Sequence, residues 1–308
     1  MTWNVDSLPD QTGRVVAVTG ANAGLGFWTS YQLARAGAHV VLACRNEDKA
    51  AAAIRAIRGR VPGAQLTHVP LDTSSLASAQ TAGERLARLP RLDAFVANAG
   101  IVHFPKHREE TIDGIELVFG TNVVGHAALL PHVLPLLEQT AGSRVVMLGS
   151  LSTLLVKLRL QDLELRNRYS GWQAYAQSKI ALSALGYELD RRLQASGSGV
   201  RASVAHPGFA ISGLSPRVPG VNEPSRGTRF FDTLQQPFAQ GKDRGAQPTV
   251  RAVTDPAAVG GSFFGPRFMT KGEPVLATPA KVTVDEAVGA SIWAQLEALI
   301  GKQILPAR

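Results

Sequence analysis

The chain has 308 residues, 45% of them hydrophobic and 18% charged, and its 32 basic and 24 acidic side chains leave a net charge of +8. That composition suits a large packed core and excludes disorder. A single cysteine, Cys44, excludes an internal disulfide framework and is compatible with a reducing cytoplasm, where the chain is expected. The arginines are scattered rather than clustered with aromatics, so the charge reads as a solvated surface and no nucleic-acid partner is expected.

Arg14 to Thr19 (RVVAVT) predicts a first strand buried on both faces. Gly24 to Ala36 follows with helical spacing of Leu25, Trp28, Leu33 and Ala36. His39 to Ala43 predicts a second strand, and Glu47 to Arg58 an alanine-rich helix with acids in its first turn. Leu66 to Val69 is a third strand, Ser75 to Leu89 a helix, and Leu92 to Ala97 a fourth strand. Val123 to Leu137 is apolar, but it is short and carries Gly125, His126, Pro131, His132 and Pro135, so no membrane span is expected. Arg144 to Leu148 and Val200 to Ala205 are the fifth and sixth strands.

Strands alternating with helices of this length make βαβ units, and these require a parallel sheet covered on both faces. The chain is therefore expected to form one doubly wound α/β domain over residues 1–308. Phe209 to Pro248 breaks the pattern. It is rich in glycine and proline yet offers Phe209, Ile211, Leu214, Val218, Phe230, Phe231, Leu234 and Phe238. A mobile lid over a lipophilic substrate is expected at 209–248, inserted after the sixth strand; packing of these side chains onto the domain is the alternative. Beyond it, Pro248 to Val253 predicts a short helix, then an irregular Gly-Pro-rich segment, then a terminal helix from Val284 to about Leu299. The first residues carry no basic segment followed by an apolar run, so no secretory signal is expected.

Thr19-Gly20-Ala21-Asn22-Ala23-Gly24-Leu25-Gly26 joins the first strand to the first helix. Glycines 20, 24 and 26 allow a sharp turn and close backbone approach, and the helix then directs free N–H groups at a pyrophosphate. At this place in a run of βαβ units the pattern points to a dinucleotide. Cys44-Arg45-Asn46 follows the second strand, where an NAD enzyme carries an acid for the ribose 2′-hydroxyl. Arg45 suits a 2′-phosphate, so NADP(H) is expected in preference to NAD(H); an ordinary surface arginine is the alternative.

Tyr175-Ala176-Gln177-Ser178-Lys179 places a tyrosine and a lysine four residues apart, on one helix face. A neighbouring ammonium favours a phenolate, so a depressed Tyr175 pKa and general acid–base catalysis are expected. Ser150 follows the fifth strand, at the edge where open α/β sheets bind ligands. Asn122 precedes the helix before that strand. The histidines, among them His103 and His126, lack metal-ligand spacing and read as surface or satisfied interior residues.

Together these motifs, in this order from about Arg14 to Gly208, resemble the short-chain dehydrogenase/reductase family. The resemblance implies a Rossmann fold and a hydride exchange with an alcohol/carbonyl pair on a small molecule. It implies that Asp72, in Asp72-Thr73 after the third strand, meets the adenine amino group, and that Asn98-Ala99-Gly100 lines the ribose. It implies catalytic roles for Asn122, Ser150, Tyr175 and Lys179. Asn122 would hold a water in a proton path through Lys179. Pro207-Gly208 would lie beside the nicotinamide, and Ser212 would bond its carboxamide. Ser150 and Tyr175 are 25 positions apart. That long spacing, and Leu165, Tyr169, Ser170, Ala174 and Tyr175, resemble the retinol-dehydrogenase-like branch. On that register Ser150, not Ser152, is the catalytic serine.

The C-terminal third, with Gly245-Ala246-Gln247-Pro248-Thr249 and Phe264-Gly265-Pro266, resembles bacterial members of the branch. The family likeness also suggests a homodimer or homotetramer, pairing the helices of Val123 to Leu137 and Trp172 to Leu193. The competing reading is a dinucleotide-binding regulator or scaffold without turnover. The intact Asn, Ser, Tyr and Lys set argues against it.

Overall fold

A computed structural model of the chain describes residues 3–102 and 105–305; His103 lies outside them. The six expected strands form: β1 (Val15–Thr19), β2 (His39–Cys44), β3 (Leu66–Pro70), β4 (Ala94–Ala97), β5 (Arg144–Leu148) and β6 (Arg201–Ala205). They pair in parallel in the order β3-β2-β1-β4-β5-β6, in register from Val15 opposite His39 to Leu148 opposite Ala205. The order reverses between β1 and β4, and the carboxyl ends there open the crevice where such sheets take ligands.

Helices cover both faces, as the strands' near-continuous apolar runs require. Val16, Val18, Val40, Leu42 and Val96 face α1 (Gly24–Arg35) and α2 (Glu47–Arg58). Val15, Ala17, Val41, Phe95 and Met147 face α3 (Leu76–Ala87) and the long helices of the opposite layer. Local sequence sets the helix starts. The side chains of Asn46 and Ser75 accept from Lys49 N and Ser78 N and so cap α2 and α3. In α1, by contrast, Ala23 stands at the cap and offers no side chain.

The apolar stretch expected at Val123 to Leu137 begins earlier and is irregular: α4 (Leu117–Phe119), a π-helical turn (Gly120–Val124), then α5 (Gly125–Glu138) with Pro131 and Pro135 inside it. The whole stretch Leu117–Glu138 is long and apolar enough to cross a membrane, but 83% of its most apolar window is buried within the fold. The next helix, α6 (Gly171–Ala195), also buries most of its length. Its apolar face and that of α5 pack inside the chain against α3 and the C-terminal helix.

The segment after β6 is built of short elements. They are β7 (Ala210–Ile211), a 3-10 turn (Ser212–Leu214), α7 (Arg226–Leu234), β8 (Gln240–Gly241) and α8 (Lys242–Gly245), and β7 pairs with β8. Val218 is buried, whereas α7 buries nothing and exposes Phe230, Phe231 and Leu234. The chain continues into α9 (Gln247–Thr254).

The stretch read as irregular then adds two strands to the sheet. β9 (Phe263–Pro266) lies parallel to β6, and β10 (Pro274–Leu276) antiparallel to β9. Their glycines and prolines masked the strand signal: β10 is the sheet's edge, and Pro266 and Pro274 stand at the end of β9 and the start of β10, where proline is tolerated. A short α10 (Lys281–Val284) precedes α11 (Glu286–Ile300), which Asp285 caps by accepting from Val288 N.

Candidate active site

The glycine turn is shaped for close approach. Gly20 has φ of +66°, and a Cβ there would stand 2.8 Å from Ala99 Cα. At Gly26 a Cβ would stand 2.4 Å from the Gly20 carbonyl oxygen and 2.5 Å from Asn98 Nδ2, so only glycine lets α1 start this near the turn. Asn22, Gly24 and Leu25 are partly exposed at the crevice, ahead of helix amides that no side chain caps. Backbone, helix dipole and space thus fit a diphosphate.

Asn98 ties β4 to this turn. Its Nδ2 donates to the Thr19 carbonyl at 2.7 Å, and Asn98 N and Ala99 N donate to Thr19 Oγ1 at 2.9 and 2.8 Å. The same hydroxyl meets His126 Nε2 at 2.9 Å, and His126 Nδ1 lies 2.9 Å from the Asn122 carbonyl. A carbonyl only accepts, so the proton is on Nδ1 and Nε2 accepts from Thr19. Burial lowers the His126 pKa to about 4 and keeps the ring neutral. The satisfied interior histidine expected from sequence is therefore a bridge between the glycine turn and Asn122.

At the ends of β2 and β3, Arg45 Nη1 donates to Asp72 Oδ2 at 3.2 Å, with the Arg45 side chain 74% exposed. The other Asp72 oxygen accepts from Ser74 N and Ser74 Oγ at 3.0 and 2.6 Å. Burial works to raise the Asp72 pKa, but these bonds and Arg45 outweigh it and the net shift is downward. Cys44 is buried, and burial pushes its thiol up to about 11, so it is an inert apolar side chain rather than a nucleophile. Thr73 is buried, and its carbonyl fits against Gly125, where a Cβ would come within 2.1 Å.

Tyr175 Oη donates to Ser150 Oγ at 3.4 Å. Ser150 caps the 3-10 turn Leu151–Leu154 and lines the cavity beside it, whereas Ser152 is buried and its hydroxyl has no hydrogen-bond partner among the described residues. Lys179 is buried and its Nζ donates to the Leu148 carbonyl at 2.8 Å; burial lowers its pKa to about 8. Burial also raises the Tyr175 pKa, against the pull of the Ser150 bond. The sequence led us to expect the reverse. The ammonium is held by the Leu148 carbonyl, and desolvation dominates at the phenol.

Asn122 sits in the π-helical turn, a distortion frequent at functional sites. Its Oδ1 accepts from Ile101 N at 2.8 Å, and its Nδ2 donates to Ser178 Oγ at 3.0 Å. Gly100 fits beside it, since a Cβ there would be 2.9 Å from Asn122 Oδ1. Past β6, Gly208 has φ of +67°, Pro207 O accepts from Gln240 Nε2 at 2.9 Å, and Ser212 opens the 3-10 turn.

Two features escaped the sequence reading. Gln177, inside the Tyr-Lys motif, accepts from Arg159 N at 2.8 Å and donates to the Asp162 carbonyl at 2.9 Å. It thereby pins the extra segment before Tyr175 to α6. Beside Ser150 lies a cavity of about 350 Å³ lined by Leu151, Leu154, His206, Phe263, Met269 and Val275, among others. Its apolar wall comes chiefly from the β9–β10 hairpin.

This arrangement is a crevice that fits a dinucleotide, beside a hydrogen-bonded tyrosine and serine, and comparison with known proteins gives the family. A family model described as short chain dehydrogenase matches residues 14–218, and the chain belongs to that family. It is an oxidoreductase acting on CH–OH/C=O groups of small molecules with a nicotinamide dinucleotide. It is 35% identical to retinol dehydrogenase 13 of Homo sapiens, across 94% of this chain and 85% of that protein. It is 34% identical to polyprenol dehydrogenase of Mus musculus, across 94% and 84%. A crystal structure of an uncharacterized protein from Mycobacterium Paratuberculosis shares 33% identity and a TM-score of 0.81, covering 99% of this chain and all of that one.

Proposed function

We propose that the chain is an NADP(H)-dependent oxidoreductase for a lipophilic alcohol/carbonyl pair, with Tyr175 as general acid/base. The observation that carries this reading is the Tyr175 hydroxyl, 3.4 Å from Ser150 Oγ at the mouth of an apolar cavity. With the dinucleotide's diphosphate at the glycine turn, its nicotinamide would supply or accept the hydride. Ser150 orients the reacting oxygen. Tyr175, kept protonated by burial, donates to that oxygen as a carbonyl is reduced; the reverse reaction needs its phenolate. Lys179, anchored on Leu148, and Asn122, anchored on Ile101 and Ser178, hold the floor of the site and the proton path behind Tyr175.

Arg45 supports NADP(H) over NAD(H): it is exposed at the end of β2, and no carboxylate stands at position 44 or 46 to bond a ribose 2′-hydroxyl. The apolar cavity wall, and the names of the retinol and polyprenol dehydrogenases among its relatives, support a lipophilic substrate. Residues 209–248 serve as the lid, a role supported by the exposed phenylalanines of α7. Assembly as a homodimer or homotetramer rests on family likeness, because the apolar faces of α5 and α6 are covered within the chain. The test of function is NADPH- and NADH-dependent turnover on a panel of apolar aldehydes and ketones. A protein that binds either dinucleotide but turns over none of the panel would favour the regulator reading.

A further inference from the structure

Where the 209–248 segment returns toward the sheet, α8 is fastened to α1. Gln32 Nε2 on α1 donates to the Asp243 carbonyl at 2.7 Å, and Lys242 N donates to Ser215 Oγ at 2.7 Å. Gly245 is pressed between Ala210 and Leu25, where a Cβ would find their side-chain carbons at 2.6 and 3.1 Å. These contacts hold the Lys242 side chain over the glycine turn. Its Nζ and Cδ lie 3.6 and 3.7 Å from the place a side-chain carbon on Gly24 would occupy.

The charge there is not neutralised. Lys242 is half-buried, and among the described residues no carboxylate forms an ion pair with it. Burial lowers its pKa, while Asp232 attracts it from a distance. The Asp232 carboxylate is itself engaged, with Oδ2 accepting from Gly213 N at 2.7 Å. A desolvated ammonium without a counter-ion is unfavourable unless an anion arrives to meet it. The amides that face it, at the uncapped start of α1, call for an anion as well.

We propose that Lys242 is a ligand for the cofactor's diphosphate, contributed by the 209–248 segment, so that the α1 amides and the Lys242 ammonium bind one anion from two elements. The proposal rests on the dinucleotide reading above and extends it. Arg45 answers the 2′-phosphate that only NADP(H) carries, whereas Lys242 answers the diphosphate that NADP(H) and NAD(H) share. It also links cofactor binding to the order of the segment, because fixing a loop costs chain entropy that a charge-assisted bond offsets.

The test is isothermal titration of NADPH and NADH into the wild-type chain, Lys242→Met and Lys242→Arg, with adenosine 2′-monophosphate as a ligand lacking the diphosphate. Methionine keeps the packed aliphatic stem and removes the charge. Lys242→Met is expected to weaken both dinucleotides by the same factor, about tenfold or more, to leave adenosine 2′-monophosphate unaffected and to keep the wild-type Tm. Lys242→Arg should retain binding of both dinucleotides. Lys242→Gln, read in the same way, covers the case in which methionine disturbs α8. Wild-type affinity of both neutral variants for both dinucleotides would overturn the assignment while leaving the proposed function standing. A wild-type chain that binds neither dinucleotide would overturn both.

Discussion

Replacing Arg45 by aspartate should reverse the cofactor preference, and its size can be worked from the site. Arg45 reaches Asp72 at 3.2 Å but is 74% exposed, so its bonds to a phosphate act in screened surroundings. Charge-assisted bonds of this kind contribute about 1–2 kcal/mol after that discount, roughly 5- to 30-fold in NADPH affinity. Aspartate removes this, places a negative charge beside the 2′-phosphate, and offers NADH an acceptor for its 2′-hydroxyl. Together the changes shift the NADPH:NADH affinity ratio by about 2–4 kcal/mol, or roughly 30- to 1,000-fold. The new carboxylate also faces Asp72 and breaks a partly exposed ion pair, at a cost to stability of at most about 1 kcal/mol. Titration of both dinucleotides into both proteins reads the result. A wild type with equal affinities, or a variant whose ratio is unchanged, would refute the assignment of Arg45.

The two neighbouring serines should part company. Ser150→Ala removes the hydroxyl that meets Tyr175 and should lower kcat about 10²- to 10³-fold. Ser152→Ala removes a buried hydroxyl that has no hydrogen-bond partner among the described residues and should leave turnover intact and stability unchanged or improved. Equal losses in both would refute the register. Acid should destabilise the fold through His126 and His206, whose pKa values burial lowers from 6.5 to about 4. The unfolded chain takes up those protons first, so the stability these rings confer is complete above pH 6.5 and is lost as the pH falls toward 4. Glu116, Asp190 and Asp243, whose pKa values burial raises, act in the opposite sense. The informative quantity is therefore a difference: His206→Phe should reduce the loss by up to about 1.4 kcal/mol per pH unit between pH 6 and 5 in urea melts. Parallel wild-type and variant curves would refute it. Hydrogen exchange should slow across 209–240 when cofactor and an apolar carbonyl bind; unchanged exchange with saturating ligands and active enzyme would remove the lid.

The six parallel strands were legible because all but β3 are compact apolar runs buried on both faces, and their alternation with helices dictates the sheet. The glycine turn and the Tyr175–Lys179 pair stand out by their spacing and their place after strands, whereas the choice of Ser150 over Ser152 came from the register of the family resemblance. Three things were not legible. β9 and β10 contain Gly265, Pro266 and Pro274, residues that read as loop, yet the two prolines fall at strand ends, where proline is tolerated. The Tyr175 pKa is raised by burial of the phenol, which only the packed fold shows, while the Lys179 ammonium is held by the Leu148 carbonyl. His126 and Gln177 make contacts up to 107 positions apart along the chain, which no local pattern encodes.

The most direct test of the central claim is a comparison of NADPH-dependent carbonyl reduction by the wild type and Tyr175→Phe, at equal cofactor saturation. Phenylalanine keeps the ring and removes the hydroxyl, and with it the proton that Tyr175 donates. The account predicts wild-type turnover on at least one apolar aldehyde or ketone and a loss of about 10²- to 10⁴-fold in kcat for the variant, with dinucleotide affinity little changed. Undiminished turnover by Tyr175→Phe would contradict it.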